Sequence, residues 1–250
     1  MTMSGDLVEL LQAELPVRLA PFAIAPGETG LVIVDVINGF CTVGAGSLAP
    51  PAPDAQIARM VDETVRLARR FVTQRWPVLA FVDTHIPGKP EPPYPPHCEH
   101  GSGEEDFVPE LAWLEDEPDA TVLRKDCING FVGGIEPVHH GTHGTSRNRV
   151  VDWVNAHRLK SIVVTGICTD ICVMDFVLTM LSARNHGLMA TLIDIVVLEP
   201  ATATYDLPHE AAPGLGLPET AAHPKLPAHH MGLYFMASRG ALLAGELTGL

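Results

Sequence analysis

Four side chains of reactive type stand where apolar runs stop. Asp35 closes LVIVD, Asp83 closes PVLAFVD, Lys125 closes TVLRK, and Cys172 follows SIVVTGI within GICTDICV. A single aspartate in such a place is commonly a cap for the next turn. Four reactive groups at four run ends are harder to explain that way, because the carboxyl ends of parallel strands share one rim, and open α/β sheets bind ligands there. Cys172 is the candidate nucleophile: in the first turn of a helix its thiolate would be favoured by backbone N–H groups, which lowers the thiol pKa. The bland alternative is a cysteine filling space on an apolar helix. Asp35 can take the thiol proton as general base and return it as acid to a leaving amine, while Lys125 holds charge balance and geometry. A surface lysine at a strand edge competes with that reading of Lys125, although a solvated lysine seldom ends an apolar strand so abruptly.

A second group offers ligand chemistry. Asp83 and His85 are two residues apart, so on an extended chain they point to the same side and form a two-toothed clamp for a divalent metal. A third ligand can come from His97 in YPPHCEH, with Glu91 or water completing the shell. An Asp-x-His alone is a weak signal, since such a pair often only caps a loop. The tract HHGTH at 139–143 is a tempting second metal site, but it lies in a glycine-rich stretch without a nearby acid and reads as a solvated loop. The glycines of GAGS at 44–47 fail as a dinucleotide motif, because prolines and no helix pattern follow them.

The elements that must position these residues follow from periodicity. The runs at 31–35, 77–83, 121–125 and 161–167 read as buried parallel strands, and LMATLIDIVVL at 188–198 as a fifth in the same sheet. Between the first two, residues 54–72 place Ile57, Val61, Val65, Ala68 and Val72 on one helical face, with Asp54 as N-cap. ICVMDFVLTMLSARNHG at 171–187 reads as a buried helix closed by Gly187. Alternating strands and helices predict a three-layer, doubly wound α/β fold. The proline- and glycine-rich stretches 86–96 and 200–227 read as loops, and residues 1–28 and the tail from about 228 as extensions packed on the core.

Length and composition narrow the function classes. A chain of 250 residues suits one α/β domain, taken here as residues 1–250. A formal charge of −14 has the wrong sign for nucleic acid or an anionic membrane, so neither is expected as a partner. The N-terminal residues lack a basic region before an apolar stretch and do not read as a targeting peptide, and no run reaches spanning length. Cysteines 41, 98, 127, 168 and 172 form no CxxC pair, which points to a reducing, cytoplasmic setting.

LVIVDVINGF, LRKDCINGF and VVTGICTDICV together resemble the signatures of isochorismatase-like cysteine hydrolases, over about residues 30–200. The resemblance implies a mostly parallel six-stranded sheet with helices on both faces, and Asp35, Lys125 and Cys172 as a catalytic triad. Within the family, DTH followed by YPPHCEHGS, with WPVLAF, KDCINGFVG and HHMGLY, is most similar to the plant-type nicotinamidases. That similarity implies hydrolysis of nicotinamide to nicotinic acid and ammonia in NAD salvage, through a thioester on the cysteine. It also implies one divalent metal, most naturally zinc, on Asp83, His85 and His97, with Phe40 and Tyr94 stacking on the substrate ring. A tetrahedral intermediate needs two N–H donors for its oxyanion, read here as those of Cys172 at the helix mouth and Cys168 at a sharp turn after the strand, and the resemblance implies a cis peptide between Ile167 and Cys168. The expected partner is a small-molecule substrate, and a homo-oligomer is the assembly the family suggests. Hydrolysis of another small amide or an enol ether, or a non-catalytic scaffold, are the alternatives.

Overall fold

The runs that end in reactive residues become neighbouring strands of one sheet in the computed structural model, which describes residues 3–89, 91–138, 145–214 and 216–250. In chain order the strands are β1 (Ala20–Ala23), β2 (Thr29–Val34), β3 (Val78–Asp83), β4 (Ala120–Lys125), β5 (Ile135–Val138), β6 (Thr145–Asn148), β7 (Ser161–Ile167), β8 (Asp194–Ala203) and β9 (Leu242–Thr248). The helices are α1 (Met3–Glu14), α2 (Asn38–Cys41), α3 (Ala55–Thr73), α4 (Gly130–Gly133), α5 (Arg149–Ala156), α6 (Cys172–Asn185), α7 (Ala211–Gly214) and α8 (Lys225–Ser238). The main sheet runs β1-β9-β8-β7-β2-β3-β4 with every recorded pairing parallel, and β5 and β6 form a separate antiparallel pair. No helix among the described residues is long and apolar enough to cross a membrane.

β2, β3 and β7 are buried along their whole length, which is why they read as unbroken apolar runs. Successive residues still serve opposite faces. Leu31 and Ile33 join the core under α3, with Met60 and Phe71, while Val32 and Val34 join the core under α5, α6 and α8, with Trp153, Phe176 and Met236. Gly166 pairs with Val34 at φ +118°, and a Cβ there would collide with the Val34 carbonyl. Only glycine lets β7 and β2 meet at the end where the reactive residues stand.

Four details differ from the sequence reading. The sheet has seven strands instead of six, because the two terminal segments pair as β1 and β9 at one edge. β1 is four residues long, mostly exposed, and contains Pro21, so it carries no apolar pattern to read. The fifth run enters the sheet only at Asp194 and continues to Ala203. Residues 188–193 are turn and coil, yet Met189 and Leu192 are buried beneath the helices, and an apolar run cannot distinguish that from strand. Pro200 sits where the β7–β8 register shifts, the kind of interruption at which a strand tolerates proline.

The third difference is the stretch 200–227, which holds the end of β8, α7, a short 3-10 turn at Glu219–Ala221 and the start of α8. The fourth is the inner face of α3. Asp54 caps it, accepting from the Gln56 and Ile57 N–H groups at 2.9 and 3.1 Å. The buried line is Ile57, Met60, Thr64, Leu67, Ala68 and Phe71, with Val61, Val65 and Val72 on its flank. The larger Met, Leu and Phe side chains turn inward and rotate the expected stripe. α6 begins at Cys172 and is followed by Gly187 at φ +88°, close to the span read from the sequence. The HHGTH tract lies outside the described residues.

Candidate active site

β2 stops at Val34, and Asp35 turns the chain with φ +54°, a left-handed conformation that few residues other than glycine adopt and that clusters at functional sites. Its N–H donates to the Phe81 carbonyl at 3.1 Å, and its own carbonyl accepts from the Ile37 N–H at 2.9 Å. The turn sends the fully buried carboxylate toward the next strands. Asp83 and Lys125 are direct partners in the β3–β4 register, so their side chains share one side of the sheet. Lys125 Nζ donates to Asp83 Oδ1 at 2.8 Å and lies 3.0 Å from Asp35 Oδ2. One buried ammonium thus bridges two buried carboxylates. The surface reading of Lys125 is excluded, since its side chain is 0% exposed.

The electrostatics separate the two aspartates. Burial, partly offset by Lys125, pushes Asp35 up to about 6. Burial also acts on Asp83, but Lys125 and the hydrogen bonds of His85 and His97 outweigh it and hold that carboxyl well below the usual range. Neither Asp35 oxygen has a well-aligned hydrogen bond among the described residues, although the Cys172 thiol is within reach. A buried polar group left in that state calls for an explanation, and a proton-transfer role supplies one.

Cys172 is the first residue of α6, where N–H groups have no intrahelical acceptor. The expected lowering of its thiol does not hold. Burial pushes Cys172 well above its ordinary value, and Lys125 does not overcome this. Removing a thiolate from water works against the charged form, and the shared lysine offsets only part of that cost. The peptide between Ile167 and Cys168 is cis, as the resemblance implied, and the turn after it carries Asp170 and Ile171 into the helix.

On the other side of Asp83, its Oδ2 lies 3.0 Å from His85 Nε2 and 3.3 Å from His97 Nε2. Three donor atoms from Asp83, His85 and His97 fall within 4.8 Å of one another, and all three residues are buried. Donors about 2.0–2.2 Å from a tetrahedral ion would stand about 3.3–3.6 Å apart, so the cluster fits a divalent metal. His97 Nδ1 faces the Pro95 carbonyl at 2.8 Å, a contact of the kind that orients the ring of a ligating histidine, here with Nε2 facing the cluster. Glu91 Oε2 stands 3.5 and 3.8 Å from the two Nε2 atoms, while its Oε1 accepts from the Ile128 N–H at 3.1 Å.

The two groups open into one pocket of about 410 Å³ including its mouth, lined by Phe40, Tyr94, Tyr205, Asp83, Glu91, His97, Cys168 and Cys172, with Leu48, Ile128 and Ile171. Phe40 and Tyr94 flank His97 with ring centroids 5.8 and 6.0 Å from it. Of the residues expected at the site, Phe40, Asp83, Tyr94, His97, Cys168 and Cys172 line this pocket, and Asp35, Lys125 and His85 lie behind it as neighbours of Asp83 or Cys172. The sequence reading missed Tyr205, Ile128, Leu48 and Ile171. For Tyr205 the available signal was a lone aromatic just beyond an apolar run, which was hidden by reading that stretch as loop.

Residues 29–213 match the family model for an isochorismatase domain. The chain belongs to the isochorismatase family. It is 51% identical over 221 residues to Nicotinamidase 1 of Arabidopsis thaliana, covering 88% of this chain and 87% of that protein. It is 31% identical over 183 residues to the nicotinamidase/pyrazinamidase of Mycobacterium tuberculosis, covering 70% of this chain and 89% of the relative. Among solved structures, the nicotinamidase of Bacillus subtilis superposes with a TM-score of 0.62 at 20% identity, over 87% of this chain and 99% of that one. The pyrazinamidase of Pyrococcus horikoshii, solved in complex with zinc, gives 0.57 at 19% identity, over 87% and 98%. At such identities the structural likeness speaks for the isochorismatase fold alone.

Proposed function

We propose that this isochorismatase-family chain is a nicotinamidase, hydrolysing nicotinamide to nicotinate and ammonia for NAD salvage. The observation that carries the reading is the shared pocket, in which a thiol with its base and a cluster of metal-type donors face one aromatic cavity. A flat neutral amide suits such a cavity, since stacking gives affinity without charge. The close relative from Arabidopsis thaliana supports the choice of substrate.

Asp35 takes the Cys172 proton as sulfur attacks the carboxamide carbon. Its raised pKa and its place beside the thiol suit it to that exchange. The N–H groups of Cys168 and Cys172 face the oxygen on which negative charge develops. Asp35 returns its proton to the departing ammonia, then deprotonates the water that splits the thioester and passes that proton to the leaving Cys172 sulfur, restoring the thiol. Lys125 keeps Asp35 and Asp83 in register and balances their charge. Phe40 and Tyr94 hold the ring. Asp83, His85 and His97 would hold a divalent ion, which we take to be zinc, and when bound it would supply Lewis-acid chemistry beside the substrate. We also infer that residues 1–250 work as one domain, since both terminal segments contribute strands to the sheet that bears the site.

The test is ammonia release from nicotinamide, set beside isochorismate and an N-carbamoyl amide, with metal analysis of the same preparation. Nicotinamide is expected to be turned over with about one divalent ion per chain, and chelation should abolish turnover reversibly without unfolding the protein. Turnover of only one of the other substrates would replace the reading.

A further inference from the structure

Tyr205 forms part of the pocket wall, and a histidine from eighteen residues further on holds it there. The His223 ring lies flat on the Tyr205 ring, with centroids 4.2 Å apart and 11° between the planes. His223 Nδ1 is 3.0 Å from the Tyr205 carbonyl oxygen, and Nε2 is 2.6 Å from Asp170 Oδ2. Carbonyl and carboxylate oxygens only accept hydrogen bonds, so both ring nitrogens must donate, and only the imidazolium can do so. Leu207 and His223 exchange backbone hydrogen bonds of 2.9 and 2.7 Å, which closes the base of the segment between them.

Asp170 belongs to the turn that joins β7 to α6, two residues before Cys172. It also accepts from Thr204 Oγ1 at 3.2 Å. Gly232 of α8 packs on it so closely that a Cβ there would come within 2.7 Å of the Asp170 Cα. One carboxylate therefore ties the nucleophile's turn to both ends of the segment that presents Tyr205.

We propose that Asp170, His223 and Tyr205 form a proton-dependent latch that sets the affinity of the pocket for its substrate. With His223 as imidazolium the Tyr205 ring is pinned in the wall. When the proton leaves, one of the two hydrogen bonds is lost and the wall loosens. Asp170 and His223 are positioning residues, acting through Tyr205. The groups facing His223 are Asp170 from the turn before α6, and Tyr205 and Asp206 from the end of β8. Lys225, at the start of α8, gives its N–H to Asp206 at 2.9 Å and its ammonium to Asp54. Burial would lower His223, but Asp170 outweighs it and raises the imidazole above its ordinary value. The latch is thus closed while His223 keeps its proton and opens as pH rises through the raised imidazole value.

The proposal rests on the nicotinamidase reading, and steady-state kinetics across pH 6–9.5 separate the two. For the wild-type protein, KM for nicotinamide should rise with a one-proton dependence on the alkaline side while kcat does not share that limb. His223→Gln should raise KM at neutral pH about fivefold to tenfold, the scale of one aromatic contact, leave kcat within about twofold, and flatten the pH dependence of KM. Tyr205→Ala should do the same, and the double variant should be no worse than Tyr205→Ala alone. A wild-type KM that is flat over this range, or independent effects that multiply in the double variant, would overturn the latch and leave the nicotinamidase reading in place. No turnover of nicotinamide by the wild-type protein would overturn both. If His223→Gln does not fold, the wild-type and Tyr205→Ala profiles still decide.

Discussion

The floor and the walls of the pocket are made by different kinds of backbone. Asp35, Asp83, Lys125 and Cys172 stand on the ends of β2, β3 and β4 and the first turn of α6, so their spacing is dictated by strand register. Phe40, Tyr94, His97 and Tyr205 come from a four-residue helix, a proline-rich segment and the residues just past β8, and their places are held by side-chain contacts. The comparison teaches a division of labour: the sheet fixes the chemistry, and the irregular segments fix the fit. Substitutions in the floor should then strike turnover or the fold, and substitutions in the walls should strike affinity.

The largest effect is expected at the nucleophile. Cys172→Ala should lose about 10⁴-fold or more in kcat with an unchanged circular-dichroism spectrum, whereas Cys168→Ala, which keeps the backbone N–H, should stay within about tenfold. The opposite pattern would reverse the assignment. Lys125→Met leaves two buried carboxylates without their shared cation and should cost about 3–5 kcal/mol of stability in urea unfolding; a shift too small to resolve would show that the bridge is not structural.

Next in size is the acid limb of kcat/KM. Asp35 has a folded pKa of about 6 against an ordinary 3.8, so it is protonated, and useless as a base, below about pH 6, and the rate should fall about tenfold per pH unit there. The linked stability runs the other way: the contribution of Asp35 is fully present below pH 3.8 and is lost as pH rises through about 6. A rate that stays level from pH 7 to pH 5 would remove Asp35 as the base. The smallest effect belongs to the walls, where Tyr94→Ala should raise KM about tenfold and leave kcat within twofold. A fall in kcat with KM unchanged would erase the proposed division.

That division also accounts for what could be read in the sequence. Asp35, Asp83 and Lys125 were legible because each ends a fully or partly buried run, and strand ends of a parallel sheet converge by construction. His85 followed from the two-residue period of extended chain. Tyr205 was not legible, because its contact with the pocket depends on a stacking partner eighteen residues away and on a carboxylate from another crossover. β1 escaped notice for a similar reason, since an edge strand with one proline buries too little to impose a pattern. The raised thiol of Cys172 could not be inferred from its place at a helix terminus, because burial depends on everything packed around it.

β2 lies between β7 and β3 and is buried from end to end. One neighbour, β3, follows it closely along the chain, but the other is roughly 130 residues later, so at about 5–20 residues per second a ribosome needs about 6–25 s to deliver it. Through that interval a nascent chain carries a strongly apolar strand with one open edge, the form of backbone most prone to pair with a neighbouring molecule. A chain truncated at residue 160 would keep Asp35, Lys125 and the whole donor cluster, yet it should collect in the insoluble fraction; recovery as a soluble monomer would argue against this. The strand that brings the turn of Cys172 into place is also the one that covers the open edge of β2, so synthesis must pass this exposed stage before the reactive thiol exists.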